Sequence, residues 1–425
     1  MKTRILSLAL VAALVLTGTA SAQTAKTVKF SLWHSFVGAD QRAPFMEERM
    51  AAFKAMYPQY DIDEQKIPRD QYQTKLKTMA AAGELPEAFL IWPNSMTKEF
   101  AQAGLLADIN DLLAKNATWK NSFVPRALEE FTVAGKTYSA GLGVSVTSIL
   151  FYNKALFDQY KVKVPTTWDQ LKTAVKTFSA KGLIPIALGN KARWPVQSTI
   201  FSLLGNRATG SQWFVDALAN KGPKFTDPIF IDALNKLKEL ADLGAFNRDY
   251  NSIDEVQMRA YYYKGQAAMV IDGTWILPDM IANAPDDVKK NTFLTVLPSL
   301  PGGKGDPKTM SGVSSTGITT SVKATPEQRE AIQNLIVFLT ANDAQLQYTK
   351  YNIPVSSKTV TPDATKVDPL YAKTVDLIKA HPLVSVYDNS LSSEQTDIIN
   401  SGLQGLMVGA VKATDLAKQL QATIK

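Results

Sequence analysis

A short apolar run with a polar and aromatic end stands at residues 265–275, GQAAMVIDGTW. It is too brief for a helix and too continuous for a half-exposed strand, so it predicts a buried central strand of a parallel sheet. Ligands of open α/β sheets bind beyond the carboxyl ends of the strands, which is where Asp272, Gly273 and Trp275 fall. The alternative is that Trp275 begins the next helix, with Pro278 in its first turn, and packs in the core.

The rest of the chain alternates between strand and helix patterns. Strands are predicted at residues 28–32, 60–67, 88–91, 148–152, 292–298 and 317–322. Helices are predicted at residues 44–56, 71–82, 96–103, 168–182, 196–204, 211–219, 229–243, 326–339, 370–380, 395–411 and 414–424. Strands that alternate with helices of ten or so residues indicate βαβ units and therefore an α/β fold.

The first 22 residues have the three parts of a secretory signal peptide. Lys2 and Arg4 give a basic start, residues 5–16 are apolar, and small residues at 20–22 suit cleavage. A membrane anchor needs about 20 apolar residues, and this run is shorter. The mature chain is therefore expected to be periplasmic or secreted, and soluble.

Length and composition narrow the class of protein. A chain of 425 residues exceeds one ordinary core, so two domains are expected, and 45% hydrophobic with 20% charged residues is typical of a soluble globular protein. Cysteine is absent, which excludes disulfides, thiolate metal sites and a lipid-modified cysteine anchor. The net charge of +7 is spread without a dense basic run, so no nucleic-acid partner is predicted.

Seven segments together carry a resemblance to a known family. They are FSLWHS at 30–35, AAGELPE at 81–87, FAQAGLL at 100–106, LFYNKALF at 150–157, VPTTWDQL at 164–171, GQAAMVIDGTW at 265–275 and IQNLIVFL at 332–339. In this order they resemble the extracellular solute-binding proteins of sugar-importing ABC transporters, the maltose-binding-protein-like group. The resemblance covers essentially the whole mature chain.

The resemblance implies a periplasmic-binding-protein fold of two α/β lobes joined by a hinge, each lobe a mainly parallel sheet flanked by helices. Three chain crossings are expected near residues 141–145, 292–296 and 338–342. The N-terminal lobe then comprises residues 23–142 and 296–340, and the C-terminal lobe residues 143–295 and 341–425. The resemblance also implies a monomer without cofactor that captures a mono- or oligosaccharide between the lobes and delivers it to the permease subunits in the membrane.

Sugar recognition needs flat apolar faces for the ring and fixed polar groups for its hydroxyls. In the first lobe such residues follow the first and third strands. These candidates are Trp33, His34, Ser35, Asp40, Gln41, Trp92, Asn94 and Ser95. A capping or core role is the alternative for His34.

The second lobe offers a similar set. The candidates are Asn190, Arg193, Trp194, Asp272, Gly273 and Trp275. Ser314 is a further candidate from a serine- and glycine-rich run near the point where the chain returns to the first lobe. Arg193 is alternatively a surface residue that covers an aromatic ring. The run around Ser314 lacks the Gly-Gly pair common at this point in the family, and Asp388 is a weak further candidate.

Two other functions compete with sugar binding. A glycosidase needs two carboxylates at a defined separation, and the sequence fixes no distance between Asp40 and Asp272. A ferric-ion-binding or other small-solute protein of the same fold is suggested by the three adjacent tyrosines at 261–263. Adjacent helical residues point about 100° apart, however, so the three cannot converge on one ion.

Overall fold

The structure is a computed structural model that describes residues 27–38, 40, 42–363 and 365–424. The predicted signal peptide lies outside these residues. The strands are β1 (Val28–His34), β2 (Tyr60–Lys66), β3 (Ala88–Ile91), β4 (Leu106–Ala107), β5 (Thr132–Val133), β6 (Lys136–Thr137), β7 (Val144–Val146), β8 (Ile149–Asn153), β9 (Ile184–Ala187), β10 (Ala267–Asp272), β11 (Thr292–Thr295), β12 (Met310–Ser314), β13 (Gly317–Ser321) and β14 (Leu383–Val384).

Each of the eleven predicted helices is present, with the first part of 196–204 in π-helical form, and further helices lie between them. The helices are α1 (Ala43–Met56), α2 (Arg69–Ala82), α3 (Ser95–Gln102), α4 (Asn110–Lys115), α5 (Ala117–Ser122), α6 (Arg126–Glu129), α7 (Lys154–Gln159), α8 (Trp168–Ala180), α9 (Ser202–Thr209), α10 (Ser211–Leu218), α11 (Pro228–Asp242), α12 (Glu255–Tyr263), α13 (Ile276–Asn283), α14 (Asp286–Asn291), α15 (Pro326–Thr340), α16 (Asn342–Lys350), α17 (Pro369–Ala380), α18 (Ser393–Met407) and α19 (Ala413–Ala422). A π-helix at Val196–Phe201 precedes α9, and a 3₁₀ turn at Tyr387–Asn389 precedes α18. None of the helices in the described ranges is both long enough and apolar enough to cross a membrane.

The first lobe is built on a five-stranded sheet in the order β2-β1-β3-β13-β4. Strand β1 runs parallel to β2 and β3, whereas β13 runs antiparallel to β3 and β4. Apolar side chains of these strands and of α1, α2 and α15 form one continuous hydrophobic core.

The second lobe is built on a four-stranded sheet in the order β11-β8-β10-β9. All six residues of β10 are buried, which confirms the predicted central strand. Its neighbour β9 is parallel, but β8 and β11 form antiparallel pairs. Alternate side chains of the sheet enter two hydrophobic clusters, one on each face.

The two-lobed α/β architecture with mainly parallel sheets is confirmed, and each sheet contains one strand that runs against the others, β13 in the first lobe and β8 in the second. In each lobe, the reversed strand is the one that directly follows a hinge strand in the chain. It runs antiparallel to the neighbouring strands of its sheet. Strand β13 follows the hinge strand β12 into the first lobe, and β8 follows β7 into the second.

The hinge is the antiparallel pair of β7 and β12. Strand β7 carries the chain between the lobes at residues 144–146, and the two later passages lie beyond residues 292–296 and 338–342. Strand β11 pairs inside the second lobe, and β12 makes the return crossing. Tyr348 and Ile353 pack in the first-lobe core, whereas α17 lies against β11, so the chain leaves the first lobe after residue 353.

Candidate ligand-binding cleft

A cleft of about 610 Å³ lies between the two lobes and is lined by both of them and by the hinge. This volume is within the usual range for sites that bury a small molecule. Its lining includes Arg42, Arg69, Trp92 and Ser95 of the first lobe, Arg193, Trp194, Trp275, Asp388, Asn389 and Asn400 of the second, and Ser314 and Thr316 beside the hinge.

Two tryptophans of the second lobe form an aromatic wall of the cleft. The rings of Trp194 and Trp275 meet edge to face, with centroids 5.7 Å apart. The indole of Trp275 lies directly on the backbone of Gly273, where a Cβ atom would stand 2.2 Å from the ring. Glycine at 273 is therefore required for this placement of the indole.

The first lobe contributes Trp92 and Arg69 to the opposite side. Trp92 packs at a tilt on the buried ring of Tyr72, with centroids 5.9 Å apart. The guanidinium of Arg69 lies 4.6 Å from the ring centroid of Trp194, a cation–π contact between the lobes. The cleft thus presents indole rings from both lobes.

Several buried polar atoms of the cleft-lining residues have no hydrogen-bond partner within the described part of the chain. They are Thr316 Oγ1, Asn389 Nδ2 and Asn400 Oδ1. Buried polar groups are normally paired, because an unpaired group keeps its desolvation cost. These three atoms include both hydrogen-bond donors and hydrogen-bond acceptors.

The carboxyl group of Asp388 has an unusual protonation equilibrium. Burial raises its pKa to about 6, although the nearby charge of Arg69 opposes the shift. Its backbone oxygen accepts a hydrogen bond of 2.9 Å from Ser95 Oγ, so this cleft residue also connects the lobes.

Further contacts hold the lobes together beside the cleft. Glu99 on α3 accepts hydrogen bonds from the backbone nitrogen and hydroxyl of Ser393, at 2.9 Å and 2.9–3.0 Å. Lys77 on α2 donates to the same hydroxyl at 2.8 Å. A carboxylate at the first turn of α18 is favourable because helix N-termini carry unpaired N–H groups. The structure therefore shows the lobes in contact.

The hinge is held by an ion pair from the first lobe. Arg126 Nη1 and Glu130 Oε1 are 2.6 Å apart, Arg126 donates to the Gly312 oxygen, and Ser314 N donates to Glu130. Burial raises the pKa of Glu130 to about 6. Gly141 lies so close to Ser314 that a Cβ atom would clash, which explains the small residue at this crossing.

Trp33, His34 and Ser35 do not line the cleft. Trp33 is 7% exposed and packs in the first-lobe core, with Lys75 Nζ 4.3 Å from its ring centroid. His34 is buried and its Nε2 lies 3.1 Å from Glu64 Oε1, which matches the alternative core role, and Ser35 is also buried. Strand β1 is an inner strand of its sheet, and the side chains at its end are buried inside the first lobe.

Asp40 and Asn94 also lie outside the lining, but each is next to it. Asp40 accepts two hydrogen bonds from the side chain of Arg42, at 2.9 and 2.7 Å, and thereby fixes that cleft arginine. Burial alone would raise the pKa of Asp40, yet Arg42 holds it below the usual value. Asn94 has a φ of 57° and lies between Trp92 and Ser95, the first residue of α3. Gln41 lies outside the described residues.

In the second lobe, Asn190 and Asp272 are buried behind the cleft wall. Asn190 Oδ1 accepts a hydrogen bond from Val196 N, and Asn190 Nδ2 donates to Asn251. Asp272 faces Arg259 at 3.2 Å rather than a ligand. The other predicted residues of this lobe, Gly273 beneath the indole and Arg193, Trp194 and Trp275, are in or beside the lining. Ser314, on the hinge strand β12, also lines the cleft.

The sequence did not identify the contribution of α2 to the cleft. Arg69, Gln73 and Lys77 line it together with Thr74, and their spacing of four residues places them on one helix face. This polar stripe was visible in the sequence. Asn389 and Asn400 come from the C-terminal segment and had no local signal. Ser198 is presented by the π-helix, an irregularity that is frequent at functional sites.

The three adjacent tyrosines do not converge. The Tyr261 and Tyr263 hydroxyls donate to Asp249 and Asp279, while the buried Tyr262 pairs with Thr292. Burial raises the pKa of Tyr262, which disfavours a phenolate. Within the described ranges, no group of three or more His, Cys, Asp or Glu side chains is placed to hold a metal ion.

Two α/β lobes, a hinge of crossing strands and a cleft between the lobes define the class of two-lobed solute receptors. The model of the bacterial extracellular solute-binding protein family matches residues 38–346, and the chain belongs to this family. A similar relative is the multiple sugar-binding protein of Streptococcus mutans, 27% identical over 68% of this chain and 67% of that protein. Another is a probable sugar-binding periplasmic protein of Mesorhizobium japonicum, 30% identical over 48% of each chain. The match therefore spans only about half to two thirds of these curated relatives.

Solved structures match over nearly the full length. One comes from work on xylan utilisation by the thermophilic bacterium Caldanaerobius polysaccharolyticus, with a TM-score of 0.85, 27% identity, and coverage of 94% of this chain and 100% of that one. A chitin oligosaccharide binding protein has a TM-score of 0.84 and 23% identity, and covers 92% of this chain and 97% of its own. This second likeness concerns the fold alone.

Proposed function

We propose that this protein is the carbohydrate-binding component of an ABC importer, which captures a sugar in the cleft and delivers it to the membrane permease. The observation that carries the proposal is the combination of indole rings from both lobes with unpaired polar atoms in one cleft. The C–H face of a sugar ring suits an indole, and its hydroxyls suit mixed donors and acceptors. Relatives named as sugar-binding proteins support the same substrate class.

Each residue has a distinct role in this proposal. The Trp194 and Trp275 pair stacks on the apolar face of a sugar ring, and Trp92 contacts it from the first lobe. Thr316, Asn389 and Asn400 bond its hydroxyls, together with Asp388 when that carboxyl is ionised. The contacts between Glu99 and Ser393 hold the lobes closed around the sugar.

Export supports the same function. The predicted signal peptide and the lack of a cysteine for lipid attachment favour a free periplasmic or secreted protein. Relatives described as periplasmic or extracellular binding proteins agree with this location. The proposed partners are therefore a sugar and a membrane permease, with the protein acting as a monomer.

Binding without catalysis is the better interpretation of the carboxylates. Asp40 and Asp272, the pair considered for a glycosidase, are each bound to an arginine and neither lines the cleft. A glycosidase requires two carboxyl groups that flank one scissile bond. The proposal accordingly assigns no chemical step to this chain.

A thermal-shift screen tests the proposal. The panel contains xylotriose, chitotriose, maltotriose, raffinose and D-galactose, with ferric citrate as the rival solute. At a concentration 100 times its dissociation constant, a specific ligand stabilises the folded state by about 2.7 kcal/mol. A shift with one or more sugars is expected, and a shift with ferric citrate alone would contradict the proposal.

A further inference from the structure

Behind Trp275 lies a chain of charged side chains on one face of α12. Glu255, Arg259 and Tyr263 are spaced four residues apart, so they form a single stripe along the helix. The stripe faces the end of β10 and the first turns of α13. It joins the cleft wall to the interior of the second lobe.

The indole of Trp275 is fixed by the first member of this stripe. Trp275 Nε1 donates a hydrogen bond of 2.8 Å to Glu255 Oε1. Glu255 itself does not line the cleft. Its contact is therefore with the aromatic ring and not with the space that a ligand would fill.

Glu255 is in turn held by Arg259, whose Nη2 is 3.7 Å from Glu255 Oε1. Arg259 is buried and also faces Asp272 at 3.2 Å and Asp279 at 3.7 Å. The Tyr263 hydroxyl donates to Asp279 at 2.7 Å. Each partner restricts the next, so the network fixes the position of the Glu255 carboxylate.

The indole is also restrained from two other directions. Gly273 leaves room for the ring against the backbone, and Trp194 contacts it edge to face. These two contacts restrict where the ring lies. The directional N–H bond to Glu255 also restricts the direction in which the indole nitrogen points.

We infer that Glu255 is a positioning residue that orients the Trp275 indole as a ligand-binding surface, with Arg259 and Asp272 as its support. This inference rests on the proposed function for the role of Trp275 in binding. The orientation of the ring itself does not depend on which ligand binds. The two parts are therefore tested separately.

The orientation is measured without ligand by ¹⁹F NMR of protein labelled with 5-fluorotryptophan. The chain has seven tryptophans, and Trp275→Phe identifies the resonance of Trp275. Glu255→Ala is expected to shift or broaden that resonance and to leave those of Trp119 and Trp168 in place. Glu255→Gln keeps an oxygen acceptor and should preserve it. An unchanged Trp275 resonance in Glu255→Ala would overturn the inference.

The effect on binding is measured with the tightest binder among xylotriose, chitotriose, maltotriose, raffinose and D-galactose. Glu255→Ala should weaken affinity about fivefold, whereas Glu255→Gln should change it less than twofold. In the Trp275→Phe background, which lacks the indole N–H, Glu255→Ala should have almost no further effect. An equal loss in both backgrounds would mean that Glu255 acts by another route and would overturn the inference.

Asp415→Ala is the matched control, because Asp415 is an exposed first-turn carboxylate of α19 that does not line the cleft. It should leave both the ¹⁹F spectrum and the affinity unchanged. If none of the five sugars binds, the proposed function fails, but the ¹⁹F measurement still decides whether Glu255 orients the ring.

Discussion

Replacement of Trp275 by alanine separates a ligand-binding role from a packing role. A sugar ring on one indole face covers about 60 Å² of apolar surface, which at about 25 cal/mol per Å² contributes about 1.5 kcal/mol. Trp275→Ala should therefore weaken sugar binding by at least about tenfold. The assay is isothermal titration of both proteins with the best sugar of the panel.

The same substitution has a smaller effect on the ligand-free protein. The indole is half-buried, and its specific contacts are one hydrogen bond to Glu255 and one ring contact with Trp194. Their loss costs about 1–2 kcal/mol, which lowers the melting temperature by only a few degrees.

Trp213→Ala provides the matched control for this prediction. Trp213 is a half-buried tryptophan of the same lobe that stacks on Phe230 at 5.4 Å and does not line the cleft. It should lower the melting temperature without changing affinity. A large loss of stability in Trp275→Ala with unchanged affinity would refute the reasoning and identify Trp275 as a packing residue.

Three further predictions concern the surroundings of the cleft. Because the pKa of Asp388 is raised to about 6, lowering the pH from 7.5 to 5 protonates it, and sugar affinity should fall severalfold with a midpoint near pH 6. In Asp388→Asn this step should disappear, and its persistence would point to Glu130, which titrates in the same range. Glu99→Ala removes the hydrogen bonds to Ser393, so small-angle scattering should show a larger radius of gyration for the ligand-free protein, whereas the exposed control Glu84→Ala should not. Arg207 is buried and donates hydrogen bonds to the backbone oxygens of Leu297, Asp306 and Thr309, which precede the hinge strand. Arg207→Met should therefore lower the free energy of unfolding, measured by denaturant titration, by about 3 kcal/mol. A loss below about 1 kcal/mol would contradict this prediction.

Local patterns predicted most helices and strands because caps and apolar periodicity are local signals. Thr167 accepts a hydrogen bond from Gln170 N at the start of α8, and Thr325 forms a capping box on α15. The short elements between residues 110 and 137 were missed, since helices of four to six residues carry too little periodicity. The reversed direction of β8 and β13 was not predicted, because strand orientation depends on where the chain crosses the hinge.

The cleft was predicted less completely. Strand ends located Trp92, Trp194 and Trp275 near the ligand space, but the same rule misplaced Trp33. Both β1 and β3 end at this edge, yet Trp33 points under α2 and is covered by Lys75. Asn389 and Asn400 enter from the C-terminal segment, far along the chain, so no local pattern could associate them with Trp92.

Isothermal titration of the purified protein is the most direct test of whether the cleft binds sugar. Titration with xylotriose, chitotriose, maltotriose, raffinose and D-galactose should give saturable heat with one site per chain for at least one of them. The same ligand should give no measurable heat with a Trp194→Ala, Trp275→Ala double variant that still unfolds cooperatively. Saturable heat with ferric citrate and none with any sugar would contradict the account.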